Sequence, residues 1–281
     1  MTWSDMIMPI SGYPDATSPA AIDQAVAFAQ MAGAKLTALG VNVRIPLKGG
    51  WIPNYLLDMP QFVREAEAQS ASACRTALEQ FSAKASAAGV NHAQIVETWD
   101  LYGVADHVAD RARTHDLCVA AVTAAPGGTA TAEAAIFGSG RPVLVFDAAR
   151  SRLDGGVLNE AVVAWDGSRG AARALADAVP ALRLARAVRV LTVVGEKPSA
   201  KAGLGRDVVR HLGLHGVVAE LDEVEANGRS IGAALDDYLG RRTPDLMVMG
   251  AFGHSRTREF ILGGATMHML RTAPVPLLMS H

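Results

Sequence analysis

Short apolar runs alternate with amphipathic stretches along the whole chain. In the C-terminal half the runs fall near residues 160–165, 188–194, 217–223, 245–250 and 275–280. They are continuous rather than alternating, as in strands covered on both faces. Between them the spacing predicts helices near 169–185, 200–213, 229–240 and 265–272. Strand–helix alternation five times over predicts a parallel sheet with right-handed crossovers. Asn227 or Ser230 has the chemistry to cap the third helix, and Pro274 stops the last one.

The pattern occurs twice. Ile7–Gly12 lines up with Val162–Gly167, each an apolar run ending in a polar-glycine turn. Asp116–Ala121 lines up with Asp245–Gly250, and Arg141–Phe146 resembles Ala273–Met279. The offset between matched residues falls from 155 to 129, so the first half is longer by about 26 residues in its middle. The charged, glycine-containing stretch Arg150–Val157 is the expected join. The expected organisation is therefore α/β: two tandem doubly wound domains, residues 1–148 and 157–281. Each is a five-stranded parallel, Rossmann-like sheet with helices on both faces. The extra segment, Pro46 to about Gly89, opens with Trp51, Tyr55, Leu56, Met59 and Phe62. An elaborated loop packing on its own domain is the expectation there, with a lid or contact surface as the alternative. The following Arg64–Ala88 stretch reads as a surface helix.

The bulk properties narrow the function classes. A chain of 281 residues holds two ordinary domains. A formal charge of −2 argues against an electrostatic nucleic-acid binder. No apolar run is long enough to span a bilayer, and Met1–Asp5 lacks the pattern of a secretory signal. Cys74 and Cys118 form no CxxC pair, so metal and redox readings are weak and a cytoplasmic setting is expected.

The densest chemistry lies near the C-terminus. The strand Asp245–Gly250 runs into Gly253, then nine residues, then Gly263, Gly264, Ala265 and Thr266 at a helix start. Glycines let a backbone approach a ligand closely, and a helix N-terminus points its amides at an anion. In open α/β sheets such loops meet the end of the first strand at the crevice where strand order reverses. Here that end is Trp165-Asp166-Gly167-Ser168, where Asp166 has the chemistry to accept from a ribose or base. Asp166-Gly167-Ser168 is also good helix-cap chemistry, and the glycines also suit tight turns without any ligand.

These residues resemble the universal stress protein family, whose nucleotide-binding members carry G-x-x-G, nine residues, then G followed by Ser or Thr. Gly250, Gly253 and Gly263 match that pattern, and both halves share the resemblance, so the chain looks like a tandem universal stress protein. The resemblance implies a stress-response role and an adenine nucleotide site, for ATP foremost, with room for magnesium. It implies that Asp166 contacts the adenosine part and that Val193 and Val194 lie where second-strand residues approach the base. One position departs: Gly264 stands where the family has a hydroxyl, although Thr266 is kept two residues on. Losing one charge-assisted donor costs roughly 1.5–3 kcal/mol of binding, so weak binding is expected. On this reading Gly250→Val fills the phosphate space. In the first half Ala121, Ala124 and Ser11 replace Gly250, Gly253 and Asp166, so that half is expected to serve as a structural partner without nucleotide. The halves are expected to pack as an intramolecular pseudo-dimer, with Val143–Phe146 and Val275–Met279 as candidate edges and a further homodimer left open.

Other chemistries fit less well. Gly253-His254-Ser255 partly resembles a nucleophile elbow, but the closing glycine is missing and too little chain follows. Ser11–Asp15 lacks the second glycine and serine of a PP-loop pyrophosphatase. His211 and His215 share a helix face but have no adjacent acid for a metal site. His254 beside the glycine loop reads as a solvated loop residue, with a pH-sensing role as the alternative. No nucleophile, general base or metal cluster emerges, so at most slow ATP hydrolysis is expected. The alternative is an interaction or scaffold protein that keeps the fold without nucleotide.

Overall fold

The computed structural model describes residues 2–46, 59–150, 153, 156–195, 203–251, 253–254 and 261–281. The first half contributes β1 (Asp5–Ser11), α1 (Pro19–Ala32), β2 (Lys35–Arg44), α2 (Met59–Ala87), β3 (His92–Asp100), α3 (Val104–Ala112), β4 (Leu117–Ala121), α4 (Ala130–Gly138) and β5 (Val143–Phe146). The second contributes β6 (Leu158–Ala164), α5 (Arg169–Leu182), β7 (Ala185–Val194), α6 (Arg206–Leu214), β8 (Ala219–Glu225), α7 (Ile231–Arg242) and β9 (Leu246–Gly250). A short ribbon, β10 (Gly253–His254) and β11 (Ile261–Leu262), precedes α8 (Gly264–Thr272) and β12 (Leu277–Ser280). Among the described residues no helix is long and apolar enough to cross a membrane.

Ten strands form one sheet in the order β3-β2-β1-β4-β5-β12-β9-β6-β7-β8. Within each half the pairing is parallel, and the first strand lies between the second and the fourth. Parallel strands buried on both faces need apolar residues throughout, which is why β4, β5, β9 and β12 carry almost none of the alternation of a half-exposed strand. The halves join where β5 pairs antiparallel with β12: Leu277 with Val145, Leu278 with Leu144, Met279 with Val143. Leu144 and Leu278 occupy matching places in their halves, so a pseudo-two-fold axis passes through that pair.

The correspondence extends to side chains. Asp116 Oδ2 accepts the amides of Ser4 (2.8 Å) and Asp5 (3.1 Å). Asp245 Oδ2 accepts those of Asn159 (2.5 Å) and Glu160 (3.2 Å). Each carboxylate ties the start of the fourth strand to the start of the first.

Local chemistry sets the helix ends. Ser18, Ser168 and Ser230 cap α1, α5 and α7 with their hydroxyls. Of the two candidate caps for α7, Ser230 is therefore the one used. The surplus of the first half goes largely into α2, 29 residues long where α6 has nine. Met59 and Phe62 are exposed on its first turns, while Trp51, Tyr55 and Leu56 lie outside the described residues. The join near residues 150–157 is described only in part; Leu153 within it is buried against the core.

Candidate functional site

The site is assembled where β6 and β9 end side by side, paired through Ala161–Leu246 and Val163–Val248. β6 leads into the turn Trp165-Asp166-Gly167-Ser168. Asp166 is exposed, and its Oδ1 accepts the Ser168 amide at 2.9 Å. The Ser168 hydroxyl in turn accepts the Ala171 amide at 3.1 Å. Asp166 therefore shapes the entry to α5 while its side chain stays exposed at the end of β6.

Gly250, the last residue of β9, lies under that helix entry. A Cβ added there would sit 2.4 Å from the Gly170 carbonyl carbon and the Ala171 nitrogen. No side chain fits between two backbones at that distance, so the glycine is demanded by strand–helix packing. This corrects the expectation for Gly250→Val: the added side chain strikes the backbone of α5 before it reaches any ligand space.

Beyond Gly250 the chain forms the ribbon, with Gly253 opposite Leu262 and His254 opposite Ile261. The ribbon returns the chain to α8. Gly263 stands at the N-cap of α8, and among the described residues no side chain caps the helix. Gly264 is exposed, and an added Cβ there would meet nothing within 4 Å among the described residues. Among the described residues the first turn of α8 is thus a bare helix end. Thr266, two residues further on, is 2 % exposed. Val193 is half-buried near the end of β7, packed against the core cluster that also holds Met249, Ala251 and Met269. The topology thus brings Asp166, Gly250 and the α8 start to one end of the sheet, and places Val193 on the strand next to β6.

In the first half the corresponding places are closed. A Cβ on Gly12 would lie 2.0 Å from the Ser70 carbonyl of α2, so that helix lies directly on the end of β1. From Ala121 to the helix start the loop is five residues shorter than its counterpart. It folds on itself: the Gly128 amide donates to Ala125 at 2.9 Å and the Ala130 amide to Gly127 at 3.0 Å. Those bonds occupy the amides of Gly128 and Ala130 at the start of α4.

The strongest displaced ionisations lie away from the crevice. Burial pushes the Cys118 thiol up to about 12 and raises that of Cys74. Tyr238 is pushed above its ordinary range by burial and by Asp222, whose Oδ2 accepts its hydroxyl at 2.6 Å. Arg189, bonded to Glu160 at 2.7 Å, is held further into its charged form by that carboxylate. The His211 and His215 rings lie 4.6 Å apart on α6, and among the described residues no group of three potential metal ligands forms.

One contact had no signal in the sequence. His281 reaches back 30 positions to the Ala251 carbonyl, 3.1 Å from its Nδ1. Only the pairing of β12 with β9 makes them neighbours.

Comparison with known proteins agrees with this fold. No curated protein matches the chain. Among solved structures, a universal stress protein from Archaeoglobus fulgidus superposes with a TM-score of 0.68 at 16 % identity, covering 98 % of this chain and 97 % of that one. A functionally unknown protein from Pseudomonas aeruginosa gives 0.58 at 13 % identity, covering 99 % and 92 %. At such identities the likeness is one of fold. In sequence, residues 159–281, the half that carries the glycine loop and α8, match the model of the Universal stress protein family.

Proposed function

We propose that this protein is a tandem universal stress protein, with units at 1–148 and 157–281, that binds an adenine nucleotide weakly in its second unit. It acts in a cytoplasmic stress response through protein contacts, without turning the nucleotide over. The observation that carries the reading is the bare first turn of α8 at the crevice, set against the closed counterpart in the first half. A helix N-terminus carries roughly half a positive charge and unpaired amides, so it favours phosphate. Gly264, exposed and without neighbours for a Cβ, leaves room for that approach.

The residues fit a nucleotide with one donor fewer than the family pattern. Gly263, Gly264 and the ribbon residue Gly253 would line the phosphates, Asp166 would accept from the ribose, and Val193 would lie toward the base. Thr266, being buried, supports the turn more readily than it reaches a phosphate. A magnesium ion would be held by the phosphates and water.

Calorimetry with ATP, ADP and AMP, with and without magnesium, tests the reading; silence at millimolar nucleotide refutes it. Gly264→Glu is the matched control. It fits the open space, leaves the fold intact and places a carboxylate where phosphate belongs, so binding is lost without a change in melting temperature of the free protein. The packing role of Gly250 favours a second reading, a scaffold that keeps the fold without nucleotide. On that reading Gly264→Glu changes nothing.

A further inference from the structure

His281 stands where three parts of the molecule meet. Its Nδ1 is 3.1 Å from the carbonyl oxygen of Ala251, the residue that follows β9. Its ring meets Phe137 of α4, in the first half, with centroids 4.9 Å apart and planes at 64°. The Ala251 amide donates to the Ser280 carbonyl at 2.7 Å. Consecutive residues at the end of β12 therefore hold both backbone groups of Ala251. A carbonyl accepts only from a protonated nitrogen, so Nδ1 carries the ring proton in this arrangement. The neutral Nδ1–H tautomer and the imidazolium both satisfy it.

The pseudo-two-fold supplies an internal comparison. Val122 stands where Ala251 does, and its amide donates to the Phe146 carbonyl at 2.9 Å. Asp147 stands where His281 does, and a carboxylate has no proton to offer a carbonyl. Its Oδ1 accepts the Ala149 amide at 2.9 Å, and its Oδ2 lies 3.4 Å from Arg150. The backbone tie is shared by both halves. The ring strut, among the described residues, serves the half whose helix end is open.

We propose that His281 is a positioning residue through which the first half, by way of Phe137, fixes where the segment after β9 begins. By doing so it tunes nucleotide binding at the start of α8. The link to nucleotide rests on the function proposed above; the anchoring of Ala251 does not.

Hydrogen exchange of the nucleotide-free full chain, read at the amides of 250–254, tests the anchor. His281→Ala removes donor and ring, His281→Phe keeps a ring without the donor, and His281→Asn restores an N–H near the Nδ1 position. Loss of one hydrogen bond raises exchange at Ala251 and Gly253 by about two- to tenfold in H281A and H281F. H281N returns toward the parent, and Phe137→Ala gives an intermediate rise. In ATP titrations the affinities of H281A and H281F fall by a similar factor, and H281N recovers. Unchanged exchange in H281A overturns the anchor, and equal exchange in H281A and H281N overturns the donor role. No effect of F137A removes the first half from the mechanism, and raised exchange with unaltered ATP affinity removes the coupling. If the parent protein itself ignores ATP, the nucleotide reading fails while the exchange comparison still decides the anchor.

Discussion

At Gly12 and at Gly167 the chain leaves a first strand for a first helix, and the two exits are built differently. Gly12 is pressed under the backbone of α2, and the loop that should face it is shortened and bonded to itself. At Gly167 the turn is exposed, Asp166 stands at the rim, and the neighbouring α8 begins uncapped. The same sheet topology thus carries one sealed end and one end that is open among the described residues. What separates them is not the strand order, which is the same in both halves, but the length of one helix and of one loop. A fold of this kind keeps its core while a crevice is gained or lost by changes confined to its rim.

That contrast is most sharply broken at the two closely packed glycines. Gly12→Val and Gly250→Val each force a side chain into a backbone, at contacts of 2.0 and 2.4 Å. Each should cost about 3 kcal/mol or more, the range of severe overpacking, in thermal or denaturant melts without ligand. If Gly250→Val leaves stability intact and abolishes only nucleotide binding, the packing account of β9 is wrong.

The next effect tests the likeness of the halves. Asp116→Ala and Asp245→Ala each strand two amides at the start of a first strand. Each should lose about 2 kcal/mol, in line with charge-assisted bonds, and the two losses should agree within about 0.5 kcal/mol. A large mismatch would show that one half carries more of the stability than the repeat suggests.

Gly264→Ser sharpens the open end. The space for its side chain exists, and the hydroxyl supplies the donor that the family pattern has and this chain lacks. ATP affinity measured by calorimetry should rise about tenfold, the value of one good hydrogen bond to a charged group. An unchanged affinity would place the phosphates elsewhere.

The smallest effect concerns the core of the sealed half. Cys118 has its thiol raised from 9.0 to about 12 by burial. A raised folded value means stability is complete below pH 9 and is lost as pH climbs toward 12. The loss should reach about 1 kcal/mol by pH 10, and Cys118→Ala should flatten that part of the pH–stability curve. The same burial predicts no alkylation of Cys118 in the folded protein at neutral pH.

Much of this was legible in the sequence. Strands such as 246–250 announce themselves because parallel strands covered on both sides must be apolar throughout. Ser168 and Ser230 announce helix starts because a hydroxyl there satisfies an orphan amide. Asp116 and Asp245 were readable as matched positions, and each accepts two amides at the start of a strand. Other features were hidden for physical reasons. A two-residue ribbon such as Gly253–His254 has no periodicity to detect. A glycine at 250 looks the same whether it makes room for phosphate or for the backbone of α5. Thr266 matched a motif by spacing, but spacing does not report burial. The tie between His281 and Ala251 depends on strand order, which no local pattern encodes.

The antiparallel seam at Leu144 and Leu278 has a consequence of its own. Both of its strands belong to one polypeptide, so the seam closes at an effective concentration set by the connecting chain and not by the amount of protein present. Dilution does not open it. The sealed half therefore remains a permanent neighbour of the open one, held beside it at any protein concentration.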